Sequence, residues 1–414
     1  MSSGLFKRLG FAYGASACVA ALALSAAPGW AADAKAPKTP AKPAEAAAAP
    51  LPPVLPEEEA DTAVLATAGP HRLFLFDPYY YAGAHVIEGD DPLLSEKGLA
   101  PAARNAGATL SRDGGKIYFS ETYWSRGDRG DRQDLLTVYD GRTLALEKEI
   151  PLPSRLLVVP KTNQVATSED GALAYAYAMA PASQVHVVDL AAGKVIGSVD
   201  MPGCSLAFPF GARSFASLCG DGTVGVATVG PAAEAAPKFS KPFFDADNDP
   251  VFENSFVDRA TGEAFFLSFT GKIYPAKLAG AAPVVDKPWS INVAAGFPAA
   301  GAGVQELAWR PGGGQVMAFH RKNRQLYVLM HAGNYWTHKV EGTEVWVLDV
   351  DKHSLIKRIS LAAPAKGIAV TQDDQPLLYA YDSAPMSLAV YNAKTGEVTG
   401  RRKIGGIIGM VPGL

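Results

Sequence analysis

The chain has 414 residues, 48% of them apolar, and a formal net charge of −3. That apolar content can fill a substantial core, and the length is generous for one simple domain. The near balance of acids and bases leaves no basic excess to release phosphate counterions, which argues against nucleic acid as a partner.

Residues 1–32 read as a signal peptide. Lys7 and Arg8 form a basic start, "FAYGASACVAALALSAA" is an apolar stretch, and "GWAADA" offers small residues for cleavage near Ala31 or Ala32. A membrane anchor would need about 20 solidly apolar residues, and Gly14, Ser16 and Ser25 interrupt this run. No later segment is long and apolar enough to span a bilayer, and the signal peptide predicts an exported mature chain. Residues 33–63 follow as an arm. Between 33 and 56 they include eight Ala and seven Pro, a composition that buries little and predicts an extended or disordered segment.

The folded body is expected over residues 64–414. Near its start, "FDPYYYAGAH" sets Tyr79, Tyr80 and Tyr81 side by side. In a strand at least one of these rings would face water, because successive side chains point to opposite faces. Two signals then recur in step. One is a strand ending in a polar residue: "LFLFD" at Asp77, "LTVYD" at Asp140, "VHVVD" at Asp189 and "VWVLD" at Asp349, with degenerate copies ending at Thr228, Lys277 and Asn392. The other is a turn leading into an aromatic strand: "RDGGKIYFS", "EDGALAYAY", "GDGTVGVA", "ATGEAFFLSF", "RPGGGQVMAFH" and "QDDQPLLYAY". The first series repeats about every fifty residues, with no sustained helical period. Seven such units of short strands predict an all-β fold, a seven-bladed β-propeller. A single β-sandwich would have to hold far more residues than sandwiches usually do. No inner strand precedes "LFLFD", so the C-terminal "IIGMVPGL" is the candidate to close the first blade, joining the two ends of the body.

Cys18 leaves with the signal peptide, so the mature chain keeps Cys204 and Cys219, an even pair in an oxidising compartment. A hairpin turning between Gly211 and Ala212 puts them directly opposite each other, close enough for a disulfide. Further on, "HAGNYWTHKVEGTEV" reads as a long insertion on one rim.

Catalytic motifs are sparse. No nucleophile elbow, Walker loop or H-E-x-x-H occurs. His320, His331 and His338 match no short metal-ligand spacing and read as satisfied rim histidines. "RGDRGDR" at 126–132 reads as a solvated charged loop rather than an adhesion tripeptide. No catalytic residue and no metal ligand is assigned within this chain.

From about Arg72 to Met410 the sequence resembles the large subunit of the periplasmic quinoprotein amine dehydrogenases, the methylamine and aromatic amine dehydrogenases. The patches that carry the likeness are "DPYYYA", "RGDRGDRQDLLTVYD", "PGCSLAFPFGARSFASLCGDGT", "FTGKIY", "WRPGG", "MHAGNYWTHK" with "EVWVLD", and "TQDDQPLLYA". The resemblance implies a propeller without a cofactor of its own, in an α2β2 assembly with a small, disulfide-dense light subunit. That light subunit carries tryptophan tryptophylquinone, at which a primary amine is oxidised to aldehyde and ammonia. Electrons then leave to a blue copper protein of the amicyanin or azurin kind. The family typically has an Asp-Pro followed by an aromatic residue, usually Phe, that lines the substrate channel. Asp77 and Pro78 match the dipeptide and Tyr81 takes the aromatic place, while Tyr80 stands where a His is often found. At these two positions the sequence departs from the family's pattern, where a change would bear on which amine is accepted. Tyr79 and Tyr80 are expected at the subunit interface, and packing of all three rings against the light subunit is the plainer alternative. A rival of another class is a periplasmic propeller that binds or scaffolds a partner without enzymatic activity; fold alone does not separate the two.

Overall fold

The computed structural model describes residues 63–79, 82–157, 159–382, 386–404 and 409–412. They form seven antiparallel sheets of four or five strands, arranged in a ring. The chain is a seven-bladed β-propeller, with one short helix, Ile291–Ala294, among the described residues. Each sheet runs as a meander from the axis outward. Burial follows that order: in blade 2 the third strand, Arg129–Asp140, ends in a buried run, whereas the outermost, Leu146–Pro151, is almost wholly exposed.

Seven apolar clusters hold the ring, each joining two neighbouring blades. The strand Leu173–Ala180, "LAYAYAMA", shows how the sequence achieves this. Successive side chains face opposite sides. Tyr175 and Tyr177 therefore fill the space toward blade 4, while Ala174, Ala176 and Ala178 allow blade 2 to approach closely.

The ring closes as the sequence predicts. Gly409–Pro412 is the innermost strand of blade 1 and pairs with Arg72–Asp77, setting Leu73 opposite Pro412 and Phe76 opposite Gly409. A side chain from blade 6 reinforces it: Gln315 accepts from the Met410 N–H at 2.9 Å and donates to its carbonyl at 2.9 Å, and donates to Ile368 O of blade 7 at 3.0 Å. One glutamine thus links three blades.

Alternating strand direction gives the disc two distinct faces. Connections from second to third strands, and crossovers to the next blade, emerge on what is termed the crossover face. Turns from inner to second and from third to outer strands emerge on the turn face. The polar strand ends of the sequence are turn-face devices. The carboxylate of Asp140 accepts from the N–H groups of Arg142 and Thr143, and Asp349 does the same for Asp351 and Lys352. Asn392 uses its amide oxygen likewise on Lys394 and Thr395. A side-chain oxygen that satisfies two backbone donors fixes the turn into the outer strand.

Asp77 does not belong to that series. Because the C-terminal strand takes the inner place, "LFLFD" is a second strand, and the third strand of blade 1 is Gly83–Glu88. The second series is out of phase in two places for the same kind of reason. "GDGTVGVA" leads into a third strand, Val224–Thr228, and "RPGGGQVMAFH" into an inner one, Met317–His320. A sharper signal lies one residue upstream, in Ser/Thr-x-Asp. Ser111, Ser168 and Thr371 each donate to the aspartate two residues on, at 2.6, 2.6 and 2.7 Å. Each also accepts the N–H that opens the second strand, from Lys116, Leu173 and Leu377.

His71 adds an ionisable tie across the closure, between blades 1 and 7. Its ring lies 2.6 Å from Asp90 and 3.2 Å from Asp373. Burial disfavours the imidazolium, but the two carboxylates outweigh it and raise the histidine pKa. A group whose folded pKa is raised contributes stability fully below its unfolded value, about 6.5, and loses it as pH rises through the folded value. His71→Gln should therefore melt below the wild type at about pH 6 and converge with it in alkaline buffer. A melting gap that widens with pH would show that the tie is not ionic.

Candidate functional site

Asp77 and Pro78 end the second strand of blade 1 on the crossover face. Buried Asp77 accepts the Tyr79 N–H at 2.8 Å, which starts the turn. The segment is then pinned from both sides to the neighbouring crossover: Asn105 N–H donates to Pro78 O at 3.0 Å and Ala102 N–H to Ala82 O at 2.9 Å. Tyr79 projects from this frame, 47% exposed. Tyr80 and Tyr81 lie outside the described residues. Beside the segment is a cavity of about 20 Å³, lined by Phe76, Asp77, Pro78, Phe119, Lys161 and Gly409 among others. It has room for about one water.

Blade 2 extends a hairpin beyond the body on the same face, built from Lys116–Arg126 and Arg129–Asp140. The "RGDRGDR" segment forms its exposed end. Buried Asp134 organises the base, accepting from Thr122 and Arg132, each at 2.7 Å. Tyr123, Trp124, Asp131, Gln133 and Glu149 line an open hollow of about 400 Å³. Glu121 sits behind it, with its carboxyl pKa raised by burial.

In blade 4 Cys204 and Cys219 form the disulfide, with an S–S distance of 2.06 Å. They are paired in register as the sequence proposes, but the hairpin reaches that register differently. Phe210 opposes Ser214, so the turn centres on Ala212, and a bulge between Ser205 and Phe208 restores Cys204 opposite Cys219. Leu206, inside the bulge, has φ of 66°, an uncommon conformation for a leucine. The hairpin walls a hollow of about 430 Å³ shared with Lys161, Tyr177, Phe244 and Glu253.

The insertion of blade 6 spans the connection between strands Gln325–Gly333 and Gly342–Asp349. Buried Arg310 supports it, donating to Gly333 O and Glu306 O, each at 3.1 Å, with its guanidinium 5.7 Å from the centre of the Tyr335 ring. Burial lowers the Arg310 pKa. Trp336 stands edge-on to Phe269 at 5.7 Å and is 51% exposed.

The histidines are only partly the satisfied rim residues expected. His320 is buried and fully engaged, facing Asp373 O at 3.0 Å and accepting the Asn323 N–H. His331 bonds Thr337 through Nε2 at 2.8 Å, whereas its Nδ1 has no hydrogen-bond partner; burial lowers its pKa. His338 stacks on Phe269 at 4.0 Å, and its Nδ1 is likewise unpartnered. Among the described residues no cluster of three or more His, Cys, Asp or Glu could hold a metal ion, and no helix is long and apolar enough to cross a membrane.

The exposed aromatic and methionine side chains, taken together, mark out one surface. Tyr79, Trp336 and Met386 lie in second-to-third connections, Tyr123, Trp124 and Met179 toward the crossover-face ends of second strands, and Phe239 and Phe297 in or beside crossovers to the next blade. Every exposed aromatic or methionine among the described residues therefore belongs to the crossover face. Such residues are enriched where proteins bind one another. The sequence reading found Tyr79 here but missed Trp124, Met179, Trp336 and Met386. Once the repeat is phased, large residues at the ends of its second strands and in the connections that follow are the signal for them.

Comparison with known proteins gives a consistent result. The family model for the methylamine dehydrogenase heavy chain matches residues 70–410. The methylamine dehydrogenase heavy chain of Methylobacillus flagellatus is 29% identical over 334 residues, covering 80% of this chain and 81% of the relative. That of Methylophilus methylotrophus is 27% identical over 347 residues, covering 82% of each. A solved structure of a functionally unknown protein from Desulfotomaculum acetoxidans superposes with a TM-score of 0.54 at 11% identity, covering 83% of this chain and 98% of that one; it shares the fold.

Proposed function

The chain belongs to the methylamine dehydrogenase heavy chain family, and from that membership we propose that it is the large subunit of a periplasmic amine dehydrogenase. In this reading residues 1–32 direct export, residues 33–63 form an arm, and the propeller seats a light subunit in an α2β2 assembly. Tryptophan tryptophylquinone in that light subunit supplies the oxidation of a primary amine to aldehyde and ammonia, and a blue copper protein takes the electrons. The observation that carries the proposal is the gathering of every exposed aromatic and methionine among the described residues on the crossover face, together with the Asp77–Pro78 turn.

This chain's own contribution is to dock and to shape. The Asp77 carboxylate and the backbone ties at Pro78 and Ala82 fix where the tyrosine segment leaves the body. A rigid exit matters because small misplacements of a channel wall cost rate. Tyr81 is the residue proposed to line the channel, with Tyr79 and Tyr80 against the light subunit. A phenol in place of the family's usual Phe adds a hydroxyl that needs a partner or water when buried.

Expressed alone, the chain should fold and show no amine oxidation. In the reconstituted complex, Tyr81→Ala should widen the channel and change the ranking among short aliphatic and arylalkyl amines, with the quinone absorbance intact. Tyr81→Phe should do less. If both variants keep the wild-type kcat/KM for every amine tried, Tyr81 is packing only.

A further inference from the structure

The turn face carries a feature that the docking role leaves unused. Inner-to-second turns converge around the propeller axis, and one repeat position in them faces the centre. It is the middle residue of Ser111-Arg112-Asp113, Ser168-Glu169-Asp170 and Thr371-Gln372-Asp373, and it is matched by Arg259 after Asp258 and Arg321 after His320. These five residues, from blades 2, 3, 7, 5 and 6, line one cavity of about 230 Å³, with Val411 of the closing strand beside them.

Charge in this mouth is unbalanced. Arg112 pairs with Glu169, and Arg321 with Asp258 at 2.7 Å. Arg259 donates to the Thr167 hydroxyl at 3.2 Å and has no carboxylate partner among the described residues. Burial, then the nearby Arg321 and Arg112, push its pKa down to about 10. A polar atom of the opposite kind is also left over: Glu169 Oε2 is buried without a hydrogen-bond partner. Guanidinium donors approaching from three blades suit an anion with oxygens in several directions, whereas a planar carboxylate occupies one guanidinium fork. The unpartnered carboxylate oxygen needs a donor as well, which a hydroxyl on the anion would supply.

We propose that the axial mouth on the turn face binds a small tetrahedral oxyanion bearing a hydroxyl, namely hydrogen phosphate. Arg259, Arg112 and Arg321 hold its charged oxygens, and Glu169 accepts its P–OH hydrogen. Sulfate has the same shape and charge but carries no hydroxyl at neutral pH, so it is the discriminating control. The site lies on the face opposite the proposed light-subunit surface, and it stands or falls independently of amine oxidation.

The test is calorimetric titration of the full mature chain at neutral pH with inorganic phosphate, and separately with sulfate, at constant ionic strength set with chloride. Phosphate should bind with one site per chain and sulfate more weakly. Arg259→Gln should weaken phosphate roughly tenfold or more, the value of one charge-assisted hydrogen bond. Arg259→Lys, which keeps the charge and guards against a folding defect, should fall between. Absence of phosphate binding to the wild type, sulfate binding as tightly as phosphate, or affinity unchanged in Arg259→Gln would each overturn the proposal.

Discussion

Deleting Gly409–Leu414 is expected to leave a chain that does not accumulate as folded protein. The deletion removes Gly409–Pro412, the inner strand of blade 1. Without them one edge of Arg72–Asp77 loses its backbone partners, and Leu73, Phe74 and Leu75, all at most 1% exposed, lose a wall of their packing. Burial of a side chain such as Met410 is worth about 1.5–3 kcal/mol, and each net hydrogen bond about 0.5–1.5 kcal/mol. The loss reaches several kcal/mol, against a net stability on the order of 5–15 kcal/mol. A milder variant isolates the clamp. Gln315→Ala leaves both backbone groups of Met410 without their side-chain partner, at about 1–3 kcal/mol for each group left buried. Circular dichroism melting measures both. A deletion variant that melts with the wild type would mean the ring does not depend on its closing strand.

The second large effect concerns docking. Trp124→Asp and Trp336→Asp should each weaken association with the light subunit by roughly thirtyfold or more, since tryptophan anchors at interfaces are commonly worth at least about 2 kcal/mol. Leu146→Asp is the control. It is as exposed as Trp336 but begins an outer strand at the turn face, so its affinity should stay at the wild-type value. Light-subunit binding followed by biolayer interferometry separates these outcomes. Equal affinity in all three variants would place the partner elsewhere.

Much of this architecture is legible in the sequence because it is set locally. A strand whose polar end closes the next turn recurs in several blades, as does alternation of large and small residues, and each is dictated by neighbours in the chain. The closing strand could be assigned because an inner strand was missing at the other end. What escaped depends on distant parts of the ring. Asp77 ends its strand as Asp140, Asp189 and Asp349 end theirs, and only its place in the ring, with residues 409–412 inside it, makes that strand a second rather than a third one. The Cys204–Cys219 register was correct, but the bulge at Leu206 that achieves it left no mark in the spacing. Arg112, Arg259 and Arg321 are unremarkable as separate arginines and become a site only when their turns meet at the axis. Likewise Trp124 and Trp336 are far apart in sequence, and only the ring places them on one face. The key segment was legible to the dipeptide: Asp77, Pro78 and Tyr79 sit in a defined turn, whereas Tyr80 and Tyr81 rest on the family resemblance.

We propose that this propeller works as the large subunit of an amine dehydrogenase whose quinone lies in another chain. The most direct test is to purify the tagged protein from its native host and record the absorbance of whatever co-purifies before and after adding a primary amine. The expected result is a small, cysteine-rich chain with a quinone chromophore that bleaches on amine addition, and no chromophore on the propeller itself. A propeller that purifies without such a chain, or that turns over amine by itself, would contradict it.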